Sequence, residues 1–219
     1  MSRVLITIDG LPPDNGAHLS RRSTELLVYL ALRGRATGPE LDEALWHGLR
    51  IDNQTRNSLV YRTRQRVGAD VLPVVGPDGV YRLAPAVTCD WSEFQVLARR
   101  GLAAGTEGIE DLQAAFDLVR DRPLLGIRDR DYTWAEYDIQ HMISTIADTA
   151  HVLACLWNEA GAHRAAMQSA TKGLRVDGAS SQLAADALLA VEALGDSAEV
   201  ERLRGQLEPA LAELDSELV

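Results

Sequence analysis

The sequence predicts two parts of different class: an α+β part over residues 1–88, in which three helices are closed by a β-hairpin, and an all-α part over residues 89–219. Three observations predict this. Val4-Leu5-Ile6-Thr7-Ile8 alternates, and the runs Val71 to Val75 and Val80 to Leu83 flank a Gly-Pro-Asp-Gly turn, as short strands do. Between the strands, apolar residues recur at spacings of three and four. From Asp90 onward only the helical spacing remains, broken at Gly or Pro. With 46% hydrophobic and 25% charged residues in 219, the composition excludes a disordered or collagen-like chain. No apolar run approaches the roughly 18 residues of a membrane span.

The elements follow in order. Arg3 to Ile8 reads as a strand with one buried face, and Pro12, Pro13, Asn15 and Gly16 as a turn. Ser20 caps a first helix whose apolar positions Leu26, Leu27, Leu30 and Ala31 stop at Gly34. Thr37 with Glu40 three residues on opens a second, with Leu41, Ala44, Leu45 and Trp46 on its apolar side, ending near Gly48. Asp52 or Asn53 caps a third that reaches Val67 and is closed by Gly68. The hairpin turns at Gly76-Pro77-Asp78-Gly79.

Beyond it, helices are expected from Asp90 to about Ala104, Gly108 to Arg120, Tyr132 to Ala160, Ala162 to Val176, Ser180 to Leu194 and Ser197 to Leu218. Gly161 and Gly195-Asp196 lie 34 residues apart, each after an Ala/Leu-rich helix, the period of tetratricopeptide repeats. Leu153, Leu156, Ala165, Ala170 and Leu174 suit such a pair; a generic helical bundle is the alternative.

Strand, three helices and a hairpin is the order of a winged helix, whose third helix reads DNA. At about 100° per residue, Leu59, Val60, Thr63 and Val67 form an inward stripe. The other side presents Gln54, Ser58, Tyr61, Arg62 and Gln65, flanked by Arg66 on one edge and by Asn57 and Arg64 on the other. Arg can fork onto guanine and Gln or Asn onto adenine, while hydroxyls and further Arg hold phosphates. These residues, with Arg82 of the hairpin, are the candidate contacts to double-stranded DNA. A solvated helix face is the competing reading. Arg56 falls beside the buried stripe, where it would snorkel or pair with an acid.

The net charge of −10 is unevenly placed: residues 1–97 hold eleven Arg against eleven acids, and residues 98–219 eleven bases against twenty-one acids. A locally basic surface joined to an acidic interaction part is the expected meaning of such a split. The helical part is accordingly expected to contact a protein partner or a second copy of the chain.

Certain motifs carry a family resemblance. They are Leu41-Asp-Glu-Ala-Leu-Trp46, Arg56-Asn-Ser-Leu59 with Arg62-Thr-Arg64, Gly79-Val-Tyr-Arg-Leu83, Asp90-Trp-Ser-Glu-Phe94, and the run Ala114 to Leu124. On these the first part resembles an OmpR-type winged helix and the second the bacterial transcriptional activator domain of actinobacterial SARP-type regulators. The resemblance implies sequence-specific DNA binding through the third helix, with the carry-over falling on Arg62, Arg64 and Arg66, and protein contact through tetratricopeptide-like helices. His47 follows Trp46 where the family has Pro, Thr63 replaces a Leu, and neither a receiver nor an ATPase domain is present. The chain is also similar to the C-terminal module of large actinobacterial membrane proteins with LysM-type segments, which implies instead a cytoplasmic scaffold or adaptor with little DNA affinity.

Signs of catalysis are lacking. His18, His47, His141, His151 and His163 are scattered, and His141 and His151 are ten residues apart, roughly 80° apart on the helix and about 15 Å along it, too far to share a metal. There is no Gly-rich phosphate loop. Glu136 and Asp138 beside Tyr137 read as a solvated face, and Trp134 and Trp157 as packing anchors within one long helix. Cys89 and Cys155 fit no metal-ligand spacing and read as small buried hydrophobes, in keeping with a reducing cytoplasm. No export signal is read at the start. The expectation is a non-enzymatic protein without cofactor, metal, small-molecule substrate or membrane contact.

Overall fold

Capping residues set the helix boundaries. In the computed structural model, which describes residues 19–124, 132–195, 197–198 and 200–205, Ser20 Oγ accepts the Ser23 amide at 3.2 Å to open α1 (Arg21–Arg33), and Gly34 at φ 73° closes it. Glu40 Oε2 accepts the Thr37 amide at 2.6 Å at the start of α2 (Gly38–Leu45). Asp52 Oδ1 accepts the Thr55 amide at 2.7 Å at the start of α3 (Asn53–Val67). Each such cap satisfies a donor that the helix cannot.

The described residues fall into two compact units, one of 19–93 with 132–136, the other of 94–124 with the described residues from 137 onward. In the first, α1 packs on α2 and α3. Leu26, Leu27, Leu30, Leu41, Leu45, Val60, Val67 and Leu72 make its core, each large aliphatic contributing about 2 kcal/mol on burial. Residues 132–136 complete this unit. Trp134, in a 3-10 turn at Thr133–Ala135, meets the Tyr29 ring edge-on at 4.8 Å and donates its indole N–H to Glu25 Oε1 at 3.3 Å. Arg22 supplies the second partner of that buried carboxylate at 2.6 Å.

The hairpin expected at Val71–Leu83 is absent, and with it the α+β winged-helix class: among the described residues the protein is all-α, with eight α-helices and no β-strand. The turn itself forms, Gly79 N–H reaching Gly76 O at 3.0 Å. Its arms spend their backbone groups elsewhere. Arg64 takes the carbonyls of Leu72 and Pro73, Pro73 has no N–H to give, and Tyr81 pairs with Ala36 in a single antiparallel bridge. Only Ala84 N–H to Val71 O, at 3.0 Å, joins arm to arm. The strand expected at Arg3–Ile8 lies outside the described residues.

The second unit takes up α4 (Asp90–Ala104) from Phe94 onward, α5 (Ile109–Leu118), α6 (Glu136–Glu159) from Tyr137 onward, α7 (His163–Val176) and α8 (Ser181–Leu194). The long helix thus starts at Glu136, and Trp134 precedes it rather than lying in it. Of the last expected helix, residues 197–198 and 200–205 are helical, and the remainder lies outside the described residues. Both Gly161 and Gly195 close their helices at positive φ, 72° and 71°. α7 and α8 pack on each other. At Gly173 a Cβ would stand 2.8 Å from both Ala150 Cβ and Leu183 Cδ1, so only glycine lets α7 come this close to α6 and α8. Lys172 ties α7 to α5 by donating to Phe116 O at 2.5 Å, with its ammonium 4.7 Å from the Phe116 ring centre. No described helix is long and apolar enough to cross a membrane.

Candidate nucleic-acid interface

α3 carries four arginines and no acid along Asn53–Val67. Val60, Thr63 and Val67 are buried, which fixes the outward side. Thr63 is fully buried although polar, because its Oγ1 lies 2.9 Å from both Ser23 Oγ and Leu59 O.

The four guanidinium groups divide into two kinds. Arg56 is held inside the first unit: it pairs with Asp42, donates Nη2–H to Asn53 Oδ1 at 2.6 Å and Nε–H to Tyr81 Oη at 3.3 Å. Burial works against its charge, and the Asp42 carboxylate with the Tyr81 hydroxyl more than offsets that. Gly38 makes the arrangement possible, since a Cβ there would stand 2.8 Å from the guanidinium carbon. Arg64 is half-buried and donates to Leu72 O at 2.8 Å and Pro73 O at 2.9 Å. Arg62 and Arg66 are exposed, the Arg62 Nε–H resting on Ser58 O at 3.2 Å within the helix.

Of the other expected contacts, Gln54, Asn57, Tyr61 and Gln65 are exposed and Ser58 is half-buried. Tyr61 leaves 58% of its surface open, much for an aromatic side chain. Asn57 Oδ1 accepts from Tyr81 Oη at 3.4 Å, which steadies one end of the row. Arg82 is exposed at the 76–79 turn and paired with Asp78 four residues back. Thus one face of α3 gathers Gln54, Asn57, Ser58, Tyr61, Arg62, Gln65 and Arg66, while Arg64 is spent on the chain that follows the helix. Sequence reasoning missed Tyr81, whose ring oxygen joins Arg56 to Asn57.

Among the described residues the protein is all-α and of two units, the first presenting a helix with four arginines and no acid. No protein-family model matches the chain, and no curated protein matches it.

Proposed function

We propose that the protein is a non-enzymatic, sequence-specific DNA-binding transcriptional regulator of the cytoplasm. α3 enters the major groove of double-stranded DNA, and the acidic helical unit contacts a protein partner or a second copy of the chain. The observation that carries this reading is the outward face of α3. It sets two exposed guanidinium groups among Gln54, Asn57, Ser58, Tyr61 and Gln65, with no carboxylate on the helix to repel phosphate. In function, though not in the hairpin, this agrees with what the SARP-type resemblance implies. Arg62 and Arg66 serve as the phosphate or guanine contacts, and Gln54, Asn57 and Gln65 as the amide readers. The LysM-type similarity supports a second reading, a protein-binding scaffold. It is favoured by the internal engagement of Arg56 and Arg64, which leaves α3 with half its formal charge outward.

Selection of the full chain on random-sequence duplex DNA over a salt series separates the two. An enriched motif, with affinity that falls steeply in salt and is lost when Arg62 and Arg66 are replaced by Ala, supports the regulator. No enrichment at low salt overturns it in favour of the scaffold.

A further inference from the structure

α6 and α8 bring together three metal-type ligands in the second unit. His151 and Cys155 stand at i and i+4 on α6, the spacing that stacks two side chains on one face. α8 contributes Asp186, which is buried, while His151 and Cys155 are half-buried. His151 Nδ1 lies 2.6 Å from Asp186 Oδ2. Cys155 Sγ lies 3.8 Å from either imidazole nitrogen and 3.9 Å from Asp186 Oδ1. One donor atom from each residue falls within 4.8 Å of the others.

Two chemistries use such a trio. A nucleophilic thiol needs a lowered pKa and one ring nitrogen aimed at it. Here the sulfur stands 3.8 Å from both ring nitrogens and favours neither. Metal ligation suits the distances better. Bonds of about 2.0 to 2.3 Å at a tetrahedral centre place neighbouring ligand atoms about 3.3 to 3.8 Å apart. The sulfur edges at 3.8 and 3.9 Å have nearly that length already. The 2.6 Å hydrogen bond from His151 reaches the other Asp186 oxygen, Oδ2, and gives way when the ion enters, drawing in one donor atom from each residue from within 4.8 Å.

We propose that His151, Cys155 and Asp186 form a binding site for a divalent metal of the zinc type, with its fourth position open to solvent. One nitrogen, one sulfur and one oxygen donor select a borderline ion over magnesium or calcium, which take oxygen. Glu159, exposed and one turn beyond Cys155 on the same stripe, borders the open side. The ion would fasten α6 to α8.

Cobalt reports on the site directly. Added to the reduced, metal-free full chain, Co2+ is expected to bind at one equivalent, give a thiolate-to-cobalt absorption band, and be displaced by Zn2+; Mg2+ gives no binding. Cys155→Ser removes the band, and Asp186→Asn weakens binding by roughly tenfold or more. A wild-type chain without the band, or a band that survives in Cys155→Ser, overturns the proposal. Should the variants fail to fold, the wild-type chain decides the matter. Zn2+ is expected to slow alkylation of Cys155 roughly tenfold, read peptide by peptide, with no effect on buried Cys89. An unchanged Cys155 rate overturns the site.

Discussion

Replacing Arg62 and Arg66 together by Ala should flatten the salt dependence of DNA binding, whereas Arg64→Ala should weaken the fold and leave that dependence alone. The two exposed guanidinium groups can each neutralise one phosphate, and each released counterion contributes about 0.9 to the slope of log affinity against log salt, so the double variant loses about 1.8. Over a fourfold rise in salt, 0.6 of a decade, that is about 1.1 decades, or roughly tenfold in affinity. Arg64 instead makes two charge-assisted hydrogen bonds to carbonyls, at 2.8 and 2.9 Å. Removing both, discounted for half-exposure, should cost about 2 kcal/mol and strip the 71–75 segment from the end of α3. Fluorescence anisotropy with a labelled duplex over a salt series gives the slopes, and urea midpoints give the stabilities. If Arg64→Ala lowers the slope by about one with its midpoint unchanged, its guanidinium sits on DNA and the division of α3 into inner and outer arginines is wrong. If the double variant keeps the full slope, another surface holds the duplex.

Thr63→Val should destabilise by about 1 kcal/mol in urea unfolding, since it leaves Leu59 O and Ser23 Oγ one partner short, and Ser23→Ala should add less than its own cost on top. Full additivity would refute the buried hydroxyl pair. Gly173→Ala should cost about 1 to 3 kcal/mol, because its Cβ would press on Ala150 and Leu183; an unchanged thermal midpoint would mean α7 has room to withdraw. Glu40 and Asp52 are held below the ordinary carboxylate range by the Thr37 backbone and by the Thr55 side chain respectively. Their stabilisation is therefore present above the unfolded-state values near pH 4 and is lost as pH falls through the lower folded values. Amide protection in the first turns of α2 and α3, with exchange corrected for its intrinsic pH dependence, should fall below pH 4 in the wild type and be insensitive to that step in Glu40→Gln with Asp52→Asn.

How far the fold could be read depended on whether a signal was local. Ser20, Thr37 with Glu40, Asp52, Gly34 and Gly68 act within four residues of themselves, and every one of those boundaries stands in the structure. The hairpin reading failed for the opposite reason. Val71–Val75 and Val80–Leu83 have strand composition, but ladder formation depends on which groups claim their carbonyls, and Arg64 claims two of them from a helix. On α3 the wheel separated buried from exposed residues correctly at Val60, Thr63 and Val67, and placed Arg56 beside the buried stripe, leaving open whether it would snorkel or pair with an acid; it pairs with Asp42. It could not separate Arg64 from Arg62, because both lie off the buried stripe and only the chain beyond Gly68 distinguishes them. His151 and Cys155 at i, i+4 were passed over, one read as a scattered histidine and the other as a buried hydrophobe, although Cys155 is half-buried; Asp186, 35 residues from His151, gave no local signal.

Trp134 belongs to the unit of α1, α2 and α3, although α4 and α5 are encoded before it. That unit is consequently discontinuous in the gene. A fragment ending at residue 93 would hold all three helices yet lack the indole that covers Tyr29 and serves Glu25, so no single cut releases the first unit whole. During synthesis the same geometry delays completion: the first unit emerges early but stays unfinished until the helices after it have left the ribosome. Shuffling of this part between proteins would have to carry α4 and α5 along.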